Sequence, residues 1–255
     1  MTKEKKSPLT AKPLRNPGQS LDEEINKLID DKGTLYAVIV IFPIVLAALE
    51  WWRWYKELPY SPWIYTIIAF ACSSFGFYKL FKLRNQVKNL KLGRDGEKAV
   101  GQYLELLRER GAKVFHDIVG NGFNIDHVVI STNGIFTVET KTYSKPATGK
   151  SSIQYFDKKL VIDGFESKTD ILVQAKAEAN WLNSLLKEMT GKSCKIKPVV
   201  VFPGWYIQCH ADNPDVWVLN PKALPKYIEN NPIQLTREEV NFFAYGLSRH
   251  IRNTQ

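Results

Sequence analysis

Two stretches of this chain carry no charge at all, and they constrain its fold more than any other feature. Gly33–Leu49 reads GTLYAVIVIFPIVLAAL and Leu58–Tyr78 reads LPYSPWIYTIIAFACSSFGFY. A bilayer core takes about 20 apolar residues per helix and about 17 at the least, so the second run spans comfortably, and the first does when Trp51 and Trp52 extend it. Pro43 does not veto the first span, because neighbouring groups in a membrane satisfy the carbonyl that a proline frees. Apolar character around the whole circumference separates both runs from the amphipathic core helices of a soluble protein. Trp51, Trp52, Trp54, Tyr55, Tyr60 and Trp63 crowd the short tract between them, where an aromatic belt at headgroup level belongs. The expectation is a transmembrane hairpin of two helices, about 33–52 and 58–80.

Basic flanks set its orientation. Lys27 and Lys32 precede the first run, Lys79, Lys82, Arg84, Lys88, Lys91 and Arg94 follow the second, and only Arg53 and Lys56 lie between. Both termini are therefore expected in the cytoplasm, as in a multi-pass protein of the cell (inner) membrane. The first run starts too far in for a cleaved signal peptide, and a second run follows it closely. The formal charge of +9 divides unevenly: residues 1–92 hold 14 basic and 8 acidic groups, a net of +6, and residues 93–255 hold 21 and 18, a net of +3. Topology accounts for most of the excess, and the remainder does not demand a polyanion. Residues 1–32, with Pro8, Pro13, Pro17 and Gly18, read as a mobile cytoplasmic tail with a short helix near Asp22–Asp30 and no assigned function; 81–92 reads as a basic juxtamembrane linker. Cys72, Cys194 and Cys209 have no CxxC spacing and no paired histidines nearby, so neither a zinc site nor a disulfide framework is indicated.

From residue 93 to 255 the pattern is that of a globular domain. Gly93-Arg94-Asp95-Gly96-Glu97 opens a helix with Val100, Leu104 and Leu107 on one face, ending at Gly111. Lys113–Ile118, Ile125–Ser131 and Ile135–Tyr143 follow as a three-strand meander, turning at Gly120-Asn121-Gly122 and Asn133-Gly134. Ser152–Phe156 and Leu160–Ile162 form a hairpin around Asp157-Lys158-Lys159, and Thr169–Met189 is a long helix closed by Gly191. Pro198–Phe202 is a strand covered on both sides, Val216–Leu219 an edge strand, and Pro221–Glu229 and Thr236–Arg252 are helices, the last begun by a Thr236/Glu239 capping box. The order indicates an α/β domain with a mixed β-sheet flanked by helices.

Chemistry concentrates on the second and third strands. Alternation places Glu139 and Lys141 on one face. Asp126 interrupts a run otherwise made for burial, where an ionised carboxylate needs a cation or donor. A turn centred near 133 pairs 126 nominally with 140, and one residue of slip or a bulge brings Glu139 alongside Asp126. Two carboxylates, the Thr140 carbonyl and several waters suit Mg²⁺. Alone, each residue has a plainer reading: Glu97 as a first-turn acid favoured by the helix dipole, and Lys141 with Glu139 as a surface pair worth little. His116, His127, His210 and His250 lack metal-ligand spacing. Gly191-Lys192-Ser193 and Gly149-Lys150-Ser151 look like the end of a P-loop, but Leu186 and Ser144 stand where its first glycine is required, which argues against an NTPase. Trp181, Trp205, Tyr206 and Trp217 could stack bases, although core packing is the commoner role.

Taken together, GRDGEKAVGQYL, NIDHVVISTNGIFTVETKTY and the later helix bearing Gln174 resemble the NERD (nuclease-related domain) family of the PD-(D/E)xK nuclease superfamily over about residues 93–190. The glycines Gly93, Gly96 and Gly134 also fit. The resemblance implies a restriction-endonuclease-like fold. It also implies a metal-dependent nuclease with Glu97, Asp126, Glu139 and Lys141 as catalytic residues, Asp126, Glu139 and Thr140 at Mg²⁺ (or Mn²⁺), and Gln174 at nucleic acid, DNA in the first instance. Lys141 would orient water or stabilise charge developing on the phosphate. A reading from another class is a membrane-tethered scaffold that binds nucleic acid or protein through the same fold without cutting.

Overall fold

The computed structural model describes residues 13–120, 122–145, 152–156, 158–167 and 170–254. Asn121, Asp157 and Gly149-Lys150-Ser151, to which the sequence assigns turns and a P-loop-like fragment, lie outside them. The chain divides into two compact units, Ser20–Leu92 and Gly93–Gln255, the second joined by the segment up to Gln19.

In the first unit, α1 (Gln19–Leu28), a π-helical turn (Ile29–Gly33) and α2 (Thr34–Tyr55) follow without interruption. After a short connection, α3 begins at Pro62, where the missing N–H costs nothing, and runs to Glu109. Two close approaches join α2 to the start of α3. A Cβ on Gly76 would collide with Val40, so glycine lets the helices meet, and the Ser73 hydroxyl donates to the Val40 carbonyl at 3.2 Å. Nearer the turn, Glu50 accepts from the Ser61 N–H at 3.0 Å, and the Trp51 indole N–H donates to the Thr66 hydroxyl at 3.0 Å. Ile41, Phe42, Ile67 and Phe70 point outward, Phe70 at 77% exposure. Both helices are long and apolar enough to cross a membrane, and only 11% of the most apolar window of each is buried.

The sequence places a linker at 81–92 and a new helix at Gly93, but α3 passes through both. The reason is local: no proline follows Pro62 before residue 146, and the Lys, Leu, Arg and Gln residues there outweigh glycines that cost about 1 kcal/mol each.

In the second unit, the main sheet has the order β1-β2-β3-β7-β9. Strands β1 (Lys113–Val119), β2 (Asn124–Ser131) and β3 (Gly134–Thr140) form the antiparallel meander; β7 (Ile196–Val201) and β9 (Trp217–Leu219) add parallel to it. A smaller sheet, β6-β5-β4-β8, joins β4 (Ser152–Phe156), β5 (Lys159–Ile162), β6 (Phe165–Glu166) and β8 (Tyr206–Cys209). Strands β6 and β8 are absent from the sequence reading: one is two residues long, and the other pairs with β4 across more than fifty residues of chain. Strand β3 also stops short of Tyr143. Beyond Thr140 the chain turns aside, Thr142 packing on Gly96 and Tyr143 stacking over Phe202.

Each face of the main sheet is covered. Val100, Leu104 and Leu107 of α3 pack on Val129, Phe136, Val138 and Val199. On the other face, α4 (Ile171–Thr190) and α6 (Arg237–Thr254) cover Phe115, Val128, Ile130 and Ile135 with Leu182, Leu186, Phe243 and Leu247. Full burial of such side chains contributes about 1.5–3 kcal/mol each before chain entropy is subtracted. Helix α4 starts on Asp170, whose carboxylate accepts from the Val173 N–H, and ends at Gly191 in the left-handed region with φ 72°. Helix α5 (Leu224–Glu229) follows a 3₁₀ turn at Pro221–Ala223. At the start of α6, the Thr236 N–H donates to Glu239 and the Glu239 N–H to the Thr236 hydroxyl, at 3.1 and 3.2 Å, the reciprocal pair of a capping box.

Candidate active site

The turn between β2 and β3 decides where the charged side chains land. Ser131 faces Gly134 and His127 faces Val138, so the ladder is centred one half-residue earlier than a turn at Asn133 would give. Extended by one step, that register puts Asp126 in line with Glu139, without a bulge. The Asp126 carboxylate accepts from the Thr140 N–H at 2.7 Å, which ties β2 to the last residue of β3.

From that strand end, Glu139 and Lys141 project together toward α4, and Lys141 Nζ lies 2.6 Å from Glu139 Oε1. Helix α4 lays Gln174 between them. Its Oε1 accepts from Lys141 Nζ at 3.0 Å, and its Nε2 donates to Glu139 Oε1 at 3.0 Å and to Glu178 Oε1 at 2.8 Å. Glu97 approaches from α3. Gly96 permits this, because a Cβ there would run into the Thr142 hydroxyl. Residues 13–18, which the sequence assigns to a tail without function, take part as well. Arg15 donates to Asp117 at 2.7 Å in a pair that is almost wholly buried, Pro17 packs on Gly101, and the Gly18 N–H donates to Glu97.

Four acids and one amine make this a strongly negative cluster: fully ionised, Glu97, Asp126, Glu139, Glu178 and Lys141 sum to −3. The fold responds by holding protons. Burial, then the Asp117 and Glu139 charges, push Glu97 up to about 7, against the Gly18 N–H and Lys141. Burial and Glu139 push Glu178 up to about 8. Asp126 is raised well above the carboxylate range by burial, Glu139 and Glu97, despite the Thr140 N–H. Burial works to lower Lys141, but Glu139, Asp126 and Glu178 outweigh it and keep the ammonium charged.

The donor set fits a hard divalent cation. Glu139 and Glu178 each bury one carboxylate oxygen, Oε2, that has no hydrogen-bond partner, and a cation would relieve the repulsion that raises Glu178. Among the described residues, no three His, Cys, Asp or Glu side chains converge as a ready-made ligand cage. A pair of carboxylates would suit Mg²⁺, which takes one or two of them and keeps its waters.

The arrangement thus brings together Glu97, Asp126, Glu139, Thr140, Lys141 and Gln174. It adds Glu178, which the sequence reading passes over although the signal was present: an acid four residues after Gln174, inside the helix face that buries Ala175, Ala179 and Leu182. The histidines stay out of it. The Nδ1 atoms of His116 and His127 lie 2.8 Å apart on the opposite face of the sheet, and burial pushes His116 down to about 4 and His127 well below the usual imidazole range. Trp205 is buried, and Trp181 and Trp217 pack on Phe123 and Phe136, so these rings serve the core. The three cysteines are unpaired. A cleft of about 510 Å³ lined by Arg110, Asn133, Glu229 and Arg237 lies at the other end of the sheet, away from this chemistry.

A mixed sheet covered by helices, with acids from two strands and two helices gathered around one lysine at a strand end, defines a nuclease-like α/β domain. The chain carries such a domain by sequence as well: residues 92–203 match the family described as the nuclease-related domain, NERD. No curated protein and no solved structure matches the chain.

Proposed function

We propose that this protein is a membrane-anchored, metal-dependent nuclease that hydrolyses phosphodiester bonds of nucleic acid, DNA in the first instance, on the cytoplasmic side of the cell (inner) membrane. The observation that carries the reading is the Glu139–Lys141–Gln174 network beside Asp126 and Glu97, with more acid than its lysine can neutralise. Asp126, Glu139 and the Thr140 carbonyl would hold Mg²⁺, or Mn²⁺ in its place; when bound, the ion acidifies water and polarises a phosphoryl oxygen. Lys141 keeps its proton and stabilises the negative charge that develops on the phosphate. Gln174 fixes the lysine by accepting from Nζ, which shortens the search for a productive geometry, and its reach toward the strand end lets it meet nucleic acid. Glu97, near neutrality in affinity for its proton, takes or returns a proton at its carboxylate during turnover.

The anchor follows from the outward-facing apolar residues of α2 and the start of α3, which only lipid solvates well, and the orientation from the basic flanks. Cys209 is exposed, so a membrane-impermeant maleimide should label it in lysed cells and not in intact ones; labelling of intact cells would reverse the topology.

The test of function uses the full chain in detergent with end-labelled single- and double-stranded DNA and RNA. Cleavage is expected with Mg²⁺ or Mn²⁺ and none with a chelator, and Lys141→Ala should lower the rate by a factor of about 10²–10⁴. Binding of nucleic acid without any metal-dependent cleavage would replace this reading by that of a tethered scaffold.

A further inference from the structure

We propose that Glu178 is a cation-holding residue of this site, acting with Glu139 as a pair of carboxylates that grip one hydrated divalent ion. The inference rests on the reading of the pocket as a cation site and assigns to it a residue outside the set carried by the sequence motifs.

Three observations point to it. One amide nitrogen, Gln174 Nε2, donates to both Glu139 Oε1 and Glu178 Oε1, at 3.0 and 2.8 Å, so the two carboxylates stand side by side. The orientation of that amide is fixed, because its oxygen faces the Lys141 ammonium and only its nitrogen can face two acids. Second, Glu139 and Glu178 are 4% and 2% exposed, and the Oε2 of each is buried without a partner. Third, among the described residues no ion pair reaches Glu178: the Lys141 ammonium is engaged by Glu139 and Gln174. A glutamate on the buried face of α4, between Ala175 and Ala179 and one turn before Leu182, contributes nothing to packing that an apolar residue would not do better. What it supplies is a further carboxylate oxygen beside Glu139, added to Asp126 and the Thr140 carbonyl, with the remaining positions left to water. Gln174 is then a positioning residue that fixes the spacing of the pair.

Mn²⁺ titrated calorimetrically into the full chain in detergent, at constant pH, tests this without reference to cleavage. Wild type should bind saturably, Glu178→Gln should weaken binding by about ten- to a hundredfold, and Glu178→Asp, one methylene shorter, should fall between them. The metal-free melting temperature of Glu178→Gln should be equal to or above that of wild type, which a residue needed only for packing would not allow. Should Glu178→Gln fail to fold, Glu178→Asp decides: unchanged Mn²⁺ affinity overturns the assignment and a loss supports it. Saturable binding by wild type that Glu178→Gln leaves unchanged sinks the role of Glu178 alone. No saturable binding by wild type sinks the cation site itself.

Discussion

Asp126 and His127 are consecutive in β2, yet they enter two buried polar clusters of opposite character. Asp126 joins three other carboxylates around one lysine, where two carboxylate oxygens lack partners. On the other face, His127 meets His116 ring to ring, both neutral, one Nδ1–H donating to the other Nδ1. The second cluster carries no net charge, because burial keeps both rings neutral and they share one Nδ1 bond across a directly paired strand position, although His127 Nε2 is buried without a partner. The first is open, because repulsion among its acids exceeds what Lys141, Gln174 and the Thr140 N–H offset. Burial does not distinguish a structural polar cluster from a functional one. What does is whether the cluster balances its own charge.

That contrast can be broken by exchanging its members. Asp126→Ala should abolish metal-dependent cleavage, a loss of at least about a hundredfold, while the fold survives by circular dichroism, since removing one carboxylate relieves repulsion. His127→Leu should do the reverse. It strands the His116 Nδ1 in the core, at a cost of about 1–3 kcal/mol in urea unfolding, with the cleavage rate per folded molecule unchanged. A loss of cleavage in His127→Leu would join the two clusters into one site.

A smaller effect separates them by pH. The rings bind fewer protons folded than unfolded, so the stability they carry is complete above about 6.5 and is lost as pH falls toward about 4. Glu97 and Glu178 hold protons in the fold that the unfolded chain releases. Their stabilising effect is complete below about 4.5 and is lost as pH rises through about 7 and 8. Without divalent ions the melting temperature should therefore peak between about pH 5 and 6.5, and Mg²⁺ should flatten only the alkaline side. A profile that Mg²⁺ leaves unchanged at pH 8 contradicts the open cluster. The smallest change is expected from Thr236→Ala, remote from both. Loss of the α6 cap should cost about 1 kcal/mol and lower the whole pH profile without altering its shape.

Much of this was legible in the chain, and the exceptions are instructive. Leu182 and Leu186 recur at helical spacing and Val128, Val129 and Ile130 run as a covered strand, so local period sufficed for α4 and β2. Asp126 stood out as a charge where burial was expected, and Glu139 and Lys141 as a charged pair on one strand face. Glu178 was passed over although its spacing from Ala175 and Leu182 puts it on the apolar face of α4; what it meets there depends on the strand that face covers. Residues 13–18 were hidden for a like reason: proline and charge look the same in a free tail and in a segment whose Arg15 is buried against Asp117.

By itself, then, the sequence determined which segments are apolar throughout, which alternate and which wind as helices, because those depend on neighbours within a few residues. Tertiary structure decided the half-residue shift of the β2–β3 turn that aligns Asp126 with Glu139, the seat of Gln174 between Lys141 and two acids, and the excess of charge left over. The first depends on two strands 13 residues apart at that step and the others on groups more than thirty residues apart, meeting where burial leaves little water to screen them.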